Sequence, residues 1–168
     1  MTRPMHQDAA AAAVLRRTIM VLLLSLLMFS LSSFPSVTAE CPDGCTCKQE
    51  DGVYCHKLEL KRIPDRIPPV TELLDLSYNE IRDIESLTHL TEIQFLDLSY
   101  NEIRDIESLA NLTELQFLDL NHNEIRDIES LAHLIELETL MLSNNNISEV
   151  KNGEFANISK LQTLYLLG

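Results

Sequence analysis

The sequence predicts an α/β solenoid, with a curved parallel sheet on its concave side and short helical turns on its convex side. The first observation is internal repetition: nearly the same 22-residue unit begins at Leu74, Leu96 and Leu118, and diverged units begin at Leu140 and Leu164. The second is the Leu-x-Leu alternation that opens each unit, which has the two-residue period of a strand with one buried face. One strand per unit cannot bury that face alone, so neighbouring units must stack into a parallel sheet.

The rest of each unit returns the chain to the next strand. Units 74–95 and 96–117 differ at three positions only. An isoleucine pair follows each strand and should re-enter the core, and a leucine pair further on fits a short helical turn on the convex side. The pairs are Ile81/Ile84 and Leu87/Leu90, Ile103/Ile106 and Leu109/Leu112, and Ile125/Ile128 and Leu131/Leu134.

The repeated pattern Leu-x-x-Leu-x-Leu-x-x-Asn-x-Ile, carried by Leu115, Leu118, Leu120, Asn123 and Ile125, resembles the leucine-rich repeat family. It recurs in the neighbouring units, and the resemblance covers about 71–168. It implies that the asparagine of each unit lies inside a turn and bonds main-chain groups of adjacent coils, which is a structural role. These asparagines are Asn79, Asn101, Asn123 and Asn145.

All four cysteines precede the repeats, at Cys41, Cys45, Cys47 and Cys55, with the spacing C-x3-C-x-C-x7-C. A zinc site would usually show paired C-x2–4-C knuckles, so we expect two disulfides and no metal or cofactor. A secretory leader would place these thiols where they oxidise. Four cysteines allow three pairings, and the spacing does not choose among them.

This segment resembles the cysteine-rich N-terminal cap of extracellular leucine-rich repeat proteins, so we assign 40–70 to a cap and 71–168 to about four and a half repeats. The text CPDGCTC, followed by IPP and LLDLSYNEI, is similar to the start of the decorin-like small leucine-rich proteoglycans. The resemblance implies the pairs Cys41–Cys47 and Cys45–Cys55. The chain has no Ser-Gly dipeptide, so the glycosaminoglycan attachment site usual in that class is missing.

Residues 1–39 have the layout of a secretory signal peptide. Arg3, Arg16 and Arg17 precede an apolar run of about 16 residues, 19–34, which is short for spanning a bilayer core of about 30 Å. Small residues follow, and cleavage is expected after Ala39. An uncleaved signal anchor is the alternative, and in both cases the rest of the chain should enter the secretory lumen.

Composition and motifs exclude several function classes. The formal net charge of −13 argues against nucleic acid, because phosphate binding needs clustered Lys and Arg. Four glycines without a Gly-rich loop argue against a nucleotide site. The motifs of zinc hydrolases and serine hydrolases are absent, and the histidines have no nucleophile or metal partner at a telling spacing, so we expect no enzymatic activity.

The residues beside the core leucines should point from the sheet to the concave side. They place an acidic column next to aromatic residues, and three carboxylates stacked about 4.8 Å apart repel one another by roughly 1 kcal/mol per pair even in water. We therefore predict a binding face for a protein partner with a basic and apolar patch, although near-identical repeats also duplicate residues that have no task. The predicted face comprises Asp75, Asp97, Asp119, Phe95, Phe117, Tyr78 and Tyr100.

Three sequons for N-glycosylation start at Asn111, Asn146 and Asn157. Asn111 and Asn157 should lie on the convex side, away from the predicted face. If the leader is a signal peptide, all three asparagines pass through the compartment in which such glycans are added.

These observations predict a secreted or cell-surface module that binds a protein partner with its concave face, in the extracellular matrix or in recognition. The alternative is the N-terminal part of a leucine-rich repeat transmembrane receptor or adhesion protein. No cysteine follows Cys55, and the fifth unit stops at Gly168 before its asparagine, so we expect a fragment, a truncated gene product or a short isoform. An end that associates with another chain is the other interpretation.

Overall fold

The computed structural model describes residues 41–48 and 51–167. The predicted signal peptide, 1–39, its expected cleavage site and the terminal Gly168 lie outside the described residues. Within the described residues, no helix combines the length and the apolar character that crossing a membrane requires.

The described residues form one seven-stranded sheet in which the strands follow one another in chain order. β1 and β2 form an antiparallel pair, and every later strand joins the sheet in parallel. The predicted solenoid with a parallel sheet is thereby confirmed. The strands are β1 Thr46–Lys48, β2 Gly52–Tyr54, β3 Leu73–Asp75, β4 Phe95–Asp97, β5 Phe117–Asp119, β6 Thr139–Met141 and β7 Thr163–Tyr165.

The helical turns of the convex side are 3-10 helices at Glu85–His89, Glu107–Asn111 and Glu129–His133. Each begins two residues after an aspartate whose carboxylate accepts the first backbone N–H of the helix, as in the 2.8 Å bond from Glu85 N to Asp83 Oδ1. Such short helices fit because a 3-10 helix rarely exceeds a few residues. The diverged fourth unit has turns over 152–157 in place of a helix.

The core is a stack of leucines and isoleucines inside the solenoid. The central residue of each strand from β3 to β6 has no exposed surface, and neither has the leucine of each 3-10 helix. Full burial of such a side chain contributes about 1.5–3 kcal/mol. The fully buried leucines are Leu74, Leu96, Leu118 and Leu140 on the strands and Leu87, Leu109 and Leu131 on the helices.

A buried asparagine ties each coil to the one before it. Asn101 Nδ2 donates to the carbonyl oxygens of Leu76 and Leu98 at 3.0 Å each, and its Oδ1 accepts the N–H of Ile81 at 3.0 Å. Asn123 repeats this pattern one coil further on. Asn79 extends it to the cap, since its Oδ1 accepts the N–H groups of Leu58 and Leu60.

Two disulfides lie in the segment that precedes the repeats. Cys41 is bonded to Cys47, and Cys45 is bonded to Cys55, which is the pairing that the family resemblance implies. Cys55 follows β2 and is buried in the same core as the leucines of the repeats. The cap therefore covers the first coil of the solenoid with covalently fixed residues.

Replacement of Asn101 by Ala should lower the free energy of unfolding by about 1–3 kcal/mol, because it leaves the buried N–H of Ile81 without a partner. It also removes one of the two asparagine donors from the carbonyl oxygens of Leu76 and Leu98, which keep those of Asn79 and Asn123. Chemical denaturation measures this loss. The matched control is Asn152→Ala, which removes the same side chain from an exposed turn. Equal losses in the two variants would contradict a structural role for the asparagine column.

Candidate functional site

The register of the parallel strands aligns equivalent residues of successive units into columns on the concave face. Leu73, Phe95 and Phe117 pair in one column and Asp75, Asp97 and Asp119 in another, each continuing through β6 and β7. Residues of both columns flank the buried leucines, so their side chains point away from the core. The face predicted from the sequence is therefore assembled as a continuous surface by the sheet.

The phenylalanine column is an exposed apolar strip at the N-terminal end of the strands. The ring centroids of Phe95 and Phe117 are 6.2 Å apart with an interplanar angle of 26°. Phe95 is 43% exposed, whereas Phe117 is half-buried. Adjacent exposed aromatic residues of this kind mark interaction surfaces more often than isolated apolar residues do.

The aspartates have a structural role that the sequence analysis missed. The Oδ1 atoms of Asp75, Asp97 and Asp119 accept the backbone N–H of the residue two positions later, at 3.0, 2.9 and 2.8 Å. These bonds shape the chain where each strand ends, as Asx turns do. The Asp-x-Ser and Asp-x-Asn spacing in each unit is the sequence signal that could have indicated this role.

The second carboxylate oxygens differ along the column. Oδ2 of Asp75 lies 3.1 Å from Nδ1 of His56 in the cap. Within the described residues, Oδ2 of Asp97 and Oδ2 of Asp119 have no hydrogen-bonding partner. Desolvation raises the pKa of Asp119, the charge of Asp97 adds to the rise, and the Asn121 N–H and His122 oppose it. The charges of Asp97 and Asp119 are therefore the least compensated part of the face.

An aromatic ladder, formed by Tyr78, Tyr100 and His122, borders the face at the C-terminal end of the strands. The ring centroids of Tyr78 and Tyr100 are 4.2 Å apart, and those of Tyr100 and His122 are 4.1 Å apart. Lys57 Nζ lies 5.0 Å from the ring centroid of Tyr78 at one end, and Asn144 Nδ2 lies 3.1 Å from His122 Nε2 at the other. A hydrogen bond with Tyr78 raises the pKa of the Tyr100 hydroxyl.

Every member of the ladder has a left-handed backbone. The φ angles of Tyr78, Tyr100 and His122 are 56°, 54° and 54°, and Lys57 and Asn144 continue the series at 56° and 58°. Aromatic residues rarely occupy this region, and such a conformation costs about 1–3 kcal/mol when the surrounding structure holds it. Stacking of the rings, worth about 0.5–1.5 kcal/mol per pair, offsets part of that cost.

The sequon asparagines all lie on exposed parts of the chain. Asn111 ends a convex 3-10 helix, Asn157 lies in the convex turns of the fourth unit, and Asn146 follows the half-buried column residue Asn145. None of the three belongs to the columns of the concave face. The structure therefore separates the sequons at Asn111 and Asn157 from the predicted binding residues.

The loops between the strands and the 3-10 helices carry charged side chains that pair between coils. Arg82 Nη2 lies 2.6 Å from Glu102, and Arg104 Nη2 lies 2.6 Å from Glu124. These guanidinium groups are largely exposed, so each pair contributes little to stability.

Open clefts of about 660 and 690 Å³ separate successive 3-10 helices. The described residues include no group of His, Cys, Asp and Glu side chains that could hold a metal ion.

Family comparison agrees with this architecture. Family models described as "Leucine Rich repeats (2 copies)" and "Leucine Rich Repeat" match residues 91–133 and 136–158. The repeats are leucine-rich repeats. Leucine-rich repeats are typically non-enzymatic modules of protein interaction, and their stacked coils present extended concave surfaces for binding.

The leucine-rich repeats of this chain are similar to those of several larger proteins. Leucine-rich repeat-containing protein 3B of Danio rerio is 41% identical over 68 residues, which is 37% of this chain and 26% of that protein. Biglycan of Equus caballus is 44% identical over 61 residues, 33% of this chain and 16% of biglycan. The Homo sapiens leucine-rich repeat and immunoglobulin-like domain-containing nogo receptor-interacting protein 1 is 36% identical over 76 residues, 41% of this chain and 12% of that protein.

Solved structures with the same leucine-rich repeat architecture include two internalins of Listeria monocytogenes. One superposes with a TM-score of 0.60 at 29% identity and covers 68% of this chain and 33% of its own. Internalin C2 gives a TM-score of 0.57 at 30% identity and covers 67% of this chain and 59% of its own. The chain thus spans about a quarter or less of the curated relatives described above and part of each of these solved structures.

Asp119→Asn should stabilise the chain at pH 7, because the amide oxygen can still accept the Asn121 N–H while the desolvated charge is removed. Since folding raises the pKa of Asp119, the folded chain binds more protons than the unfolded chain between the two pKa values, and stability is lost as pH rises through that range. Denaturant unfolding across pH should show the gain of the variant shrinking as pH falls towards the ordinary value of 3.8. Glu107→Gln, at an exposed position, is the control, and a pH-independent gain in Asp119→Asn would contradict the electrostatic cause.

Proposed function

We propose that the chain is a secreted or cell-surface protein-binding module whose concave face recognises a protein partner with a basic and apolar patch. In this proposal, 1–39 is a signal peptide, 40–70 is the cysteine-rich cap and 71–168 carries the recognition surface. The site residues are those that the sequence predicts, with Asp97 and Asp119 at the centre. No cofactor, metal or catalytic step takes part.

The observation that carries the proposal is the pair of carboxylates, between two aromatic strips, whose second oxygens have no hydrogen-bonding partner among the described residues. Oδ2 of Asp97 and Oδ2 of Asp119 are without partners in the described structure, and Phe95 borders them with an exposed ring. A Lys or Arg of a partner would supply the missing countercharge, and an apolar residue beside it would cover the phenylalanine. Electrostatic complementarity of this kind mainly determines partner choice and association rate.

The charge balance of the repeats supports a basic partner. Residues 71–168 contain 19 acidic and five basic residues, so most of the net negative charge of the chain belongs to the solenoid. A field of one sign accelerates the encounter with a partner of opposite sign and disfavours acidic proteins. Binding should therefore weaken as salt is added, because at 0.1 M ionic strength the interaction between exposed charges is largely screened beyond about 10 Å.

An extracellular role in the matrix or in recognition fits the cysteine chemistry. Two disulfides within one small cap are typical of proteins that fold in an oxidising compartment. The similarity to biglycan over 61 residues supports the matrix variant of this role. The leader predicted over 1–39 would deliver the chain to that compartment.

The second candidate is the N-terminal part of a leucine-rich repeat transmembrane receptor or adhesion protein. The similarity to the Homo sapiens nogo receptor-interacting protein, 36% identical over 76 residues, supports it. A transcript that continues past Gly168 into a C-terminal cysteine cap and a transmembrane helix would establish this candidate. The concave face would have the same task in both.

A random peptide library displayed on phage tests the binding face. The purified chain should enrich peptides that combine Lys or Arg with Leu or Phe, and the double variant Asp97→Asn/Asp119→Asn should bind them at least about tenfold more weakly, which is 1.4 kcal/mol. Asparagine keeps an acceptor for the Ser99 and Asn121 N–H groups, so the turns should remain intact.

The charge-matched control is Glu85→Gln/Glu107→Gln, which removes two negative charges from exposed positions on the convex helices. Phe117→Ala tests the apolar strip separately. Enrichment of acidic peptides, or equal binding by wild type and both double variants, would refute the concave-face proposal.

N-glycosylation gives an independent test of the secretory part of the proposal. Expression in mammalian cells should yield a secreted chain whose mass falls on treatment with an N-glycosidase. Thr113→Ala, Ser148→Ala and Ser159→Ala should each abolish the glycan at one sequon, at Asn111, Asn146 and Asn157 respectively. Cytosolic, unglycosylated protein with free thiols would contradict it.

A further inference from the structure

The shape of the concave face restricts what its partner can look like. Strand pairing aligns Phe95 with Phe117 and Asp97 with Asp119, and ring stacking aligns Tyr100 with His122. These three pairs run along the solenoid axis, from coil to coil. A ligand that meets all three must therefore offer one contact per coil while it runs across the strands.

The spacing between coils matches a helix better than an extended peptide. Neighbouring strands are about 4.8 Å apart. Residues at i and i+3 on one face of an α-helix are about 4.5 Å apart along its axis, which nearly follows the coil spacing. In an extended strand, residues on the same side are about 6.7 Å apart, so the second residue would already overshoot the next coil.

The width of the face also admits a helix. The five-residue step from Phe95 to Tyr100 spans at most about 17 Å between Cα atoms. An α-helix with its side chains has a diameter of about 10–12 Å. This upper limit is compatible with a helix that lies over the two carboxylates, between the phenylalanine strip and the aromatic ladder. The free Oδ2 atoms of Asp97 and Asp119 would then lie directly below the helix.

We propose that the occupant of the concave face is an amphipathic α-helix of a partner protein, lying along the solenoid axis with basic residues at i and i+3. This inference rests on the proposed function and names the form of its partner. The two basic side chains bind the free oxygens of Asp97 and Asp119. Apolar residues on the flank of the helix pack on Phe95 and Phe117. The aromatic ladder borders the opposite flank.

The ladder's geometry favours a helix flank over a single inserted group. Each ring face of Tyr100 is covered, by Tyr78 on one side and His122 on the other. A sugar ring or a guanidinium group therefore cannot stack on Tyr100 without opening the ladder. The aromatic ladder instead forms a continuous surface over three coils, which suits an elongated partner.

Three labelled peptides of identical composition test the inference by fluorescence anisotropy with the purified chain. The first places Lys at i, i+3 and i+7 with Leu on one flank, and the second distributes the same residues around the helix. The third keeps the positions of Lys and Leu but exchanges its terminal proline with a central residue, so that the proline interrupts the helix. The phased peptide should bind at least about tenfold tighter than either of the others. Equal affinities, or tightest binding by the proline-interrupted peptide, would overturn the inference.

The protein variants show which proposal fails. Asp97→Asn/Asp119→Asn should remove the preference for the phased peptide, whereas Glu85→Gln/Glu107→Gln should retain it. If phage-selected peptides depend on Asp97 and Asp119 but bind equally well when proline interrupts their helix, the helical partner is refuted and the binding face stands. If neither set of peptides responds to the double asparagine variant, the binding face and the helical partner are both refuted. Denaturant unfolding of each variant establishes that the fold is intact.

Discussion

The buried asparagine column is the interaction on which the rest of the structure depends. Where the chain leaves a strand and turns inward, its backbone N–H and C=O groups face the interior, and no water is there to bind them. The amide of Asn101 satisfies groups of its own coil and of the preceding coil together, so one coil cannot close without its neighbour. A fixed partner in the adjacent coil also fixes the register of the sheet. Residues one repeat apart in sequence must consequently become neighbours in space, and the columns of the concave face follow from that constraint.

The same turn explains the aromatic ladder. The residue before each column asparagine has a positive φ, whatever its side chain, because the chain must reverse direction there before the asparagine enters the core. Tyr78, Tyr100 and His122 therefore project from equivalent backbone positions in successive coils, and this spacing brings their rings into stacking contact. Local propensity would not place aromatic residues in this conformation, since it favours glycine and asparagine. The asparagine column thus imposes the strain, and ring stacking compensates part of it.

The sequence predicts the solenoid, the strand columns and the asparagine roles well, because all of them depend on periodicity and every unit repeats the evidence. It says much less about differences between equivalent residues. Asp75 and Asp97 are followed by the same sequence, yet the cap brings His56 beside Asp75, and the Ser77 hydroxyl donates to Asp75 Oδ1 without an equivalent bond at Asp97. The stacking of Tyr100 between two rings likewise depends on φ angles that the residue types do not indicate. Long-range contacts between unlike segments, and unfavourable backbone conformations held by their surroundings, therefore mark the limit of inference from the sequence.

The end of the aspartate column shows that the fold itself does not need the charge. In β6, Met141 replaces the aspartate, and the N–H of Ser143 donates instead to Oδ1 of Asn121 in the preceding coil, at 2.7 Å. A neutral amide thus satisfies the same turn that Asp97 and Asp119 satisfy with carboxylates. Duplication of the units accounts for the repetition of the aspartates, but it does not remove the cost of a desolvated charge beside a like charge at Asp119. Because the solenoid contains a neutral solution to this turn, the carboxylate of Asp119 brings the isolated chain no stability that an amide could not, and the proposed basic partner would convert the cost of that charge into binding energy.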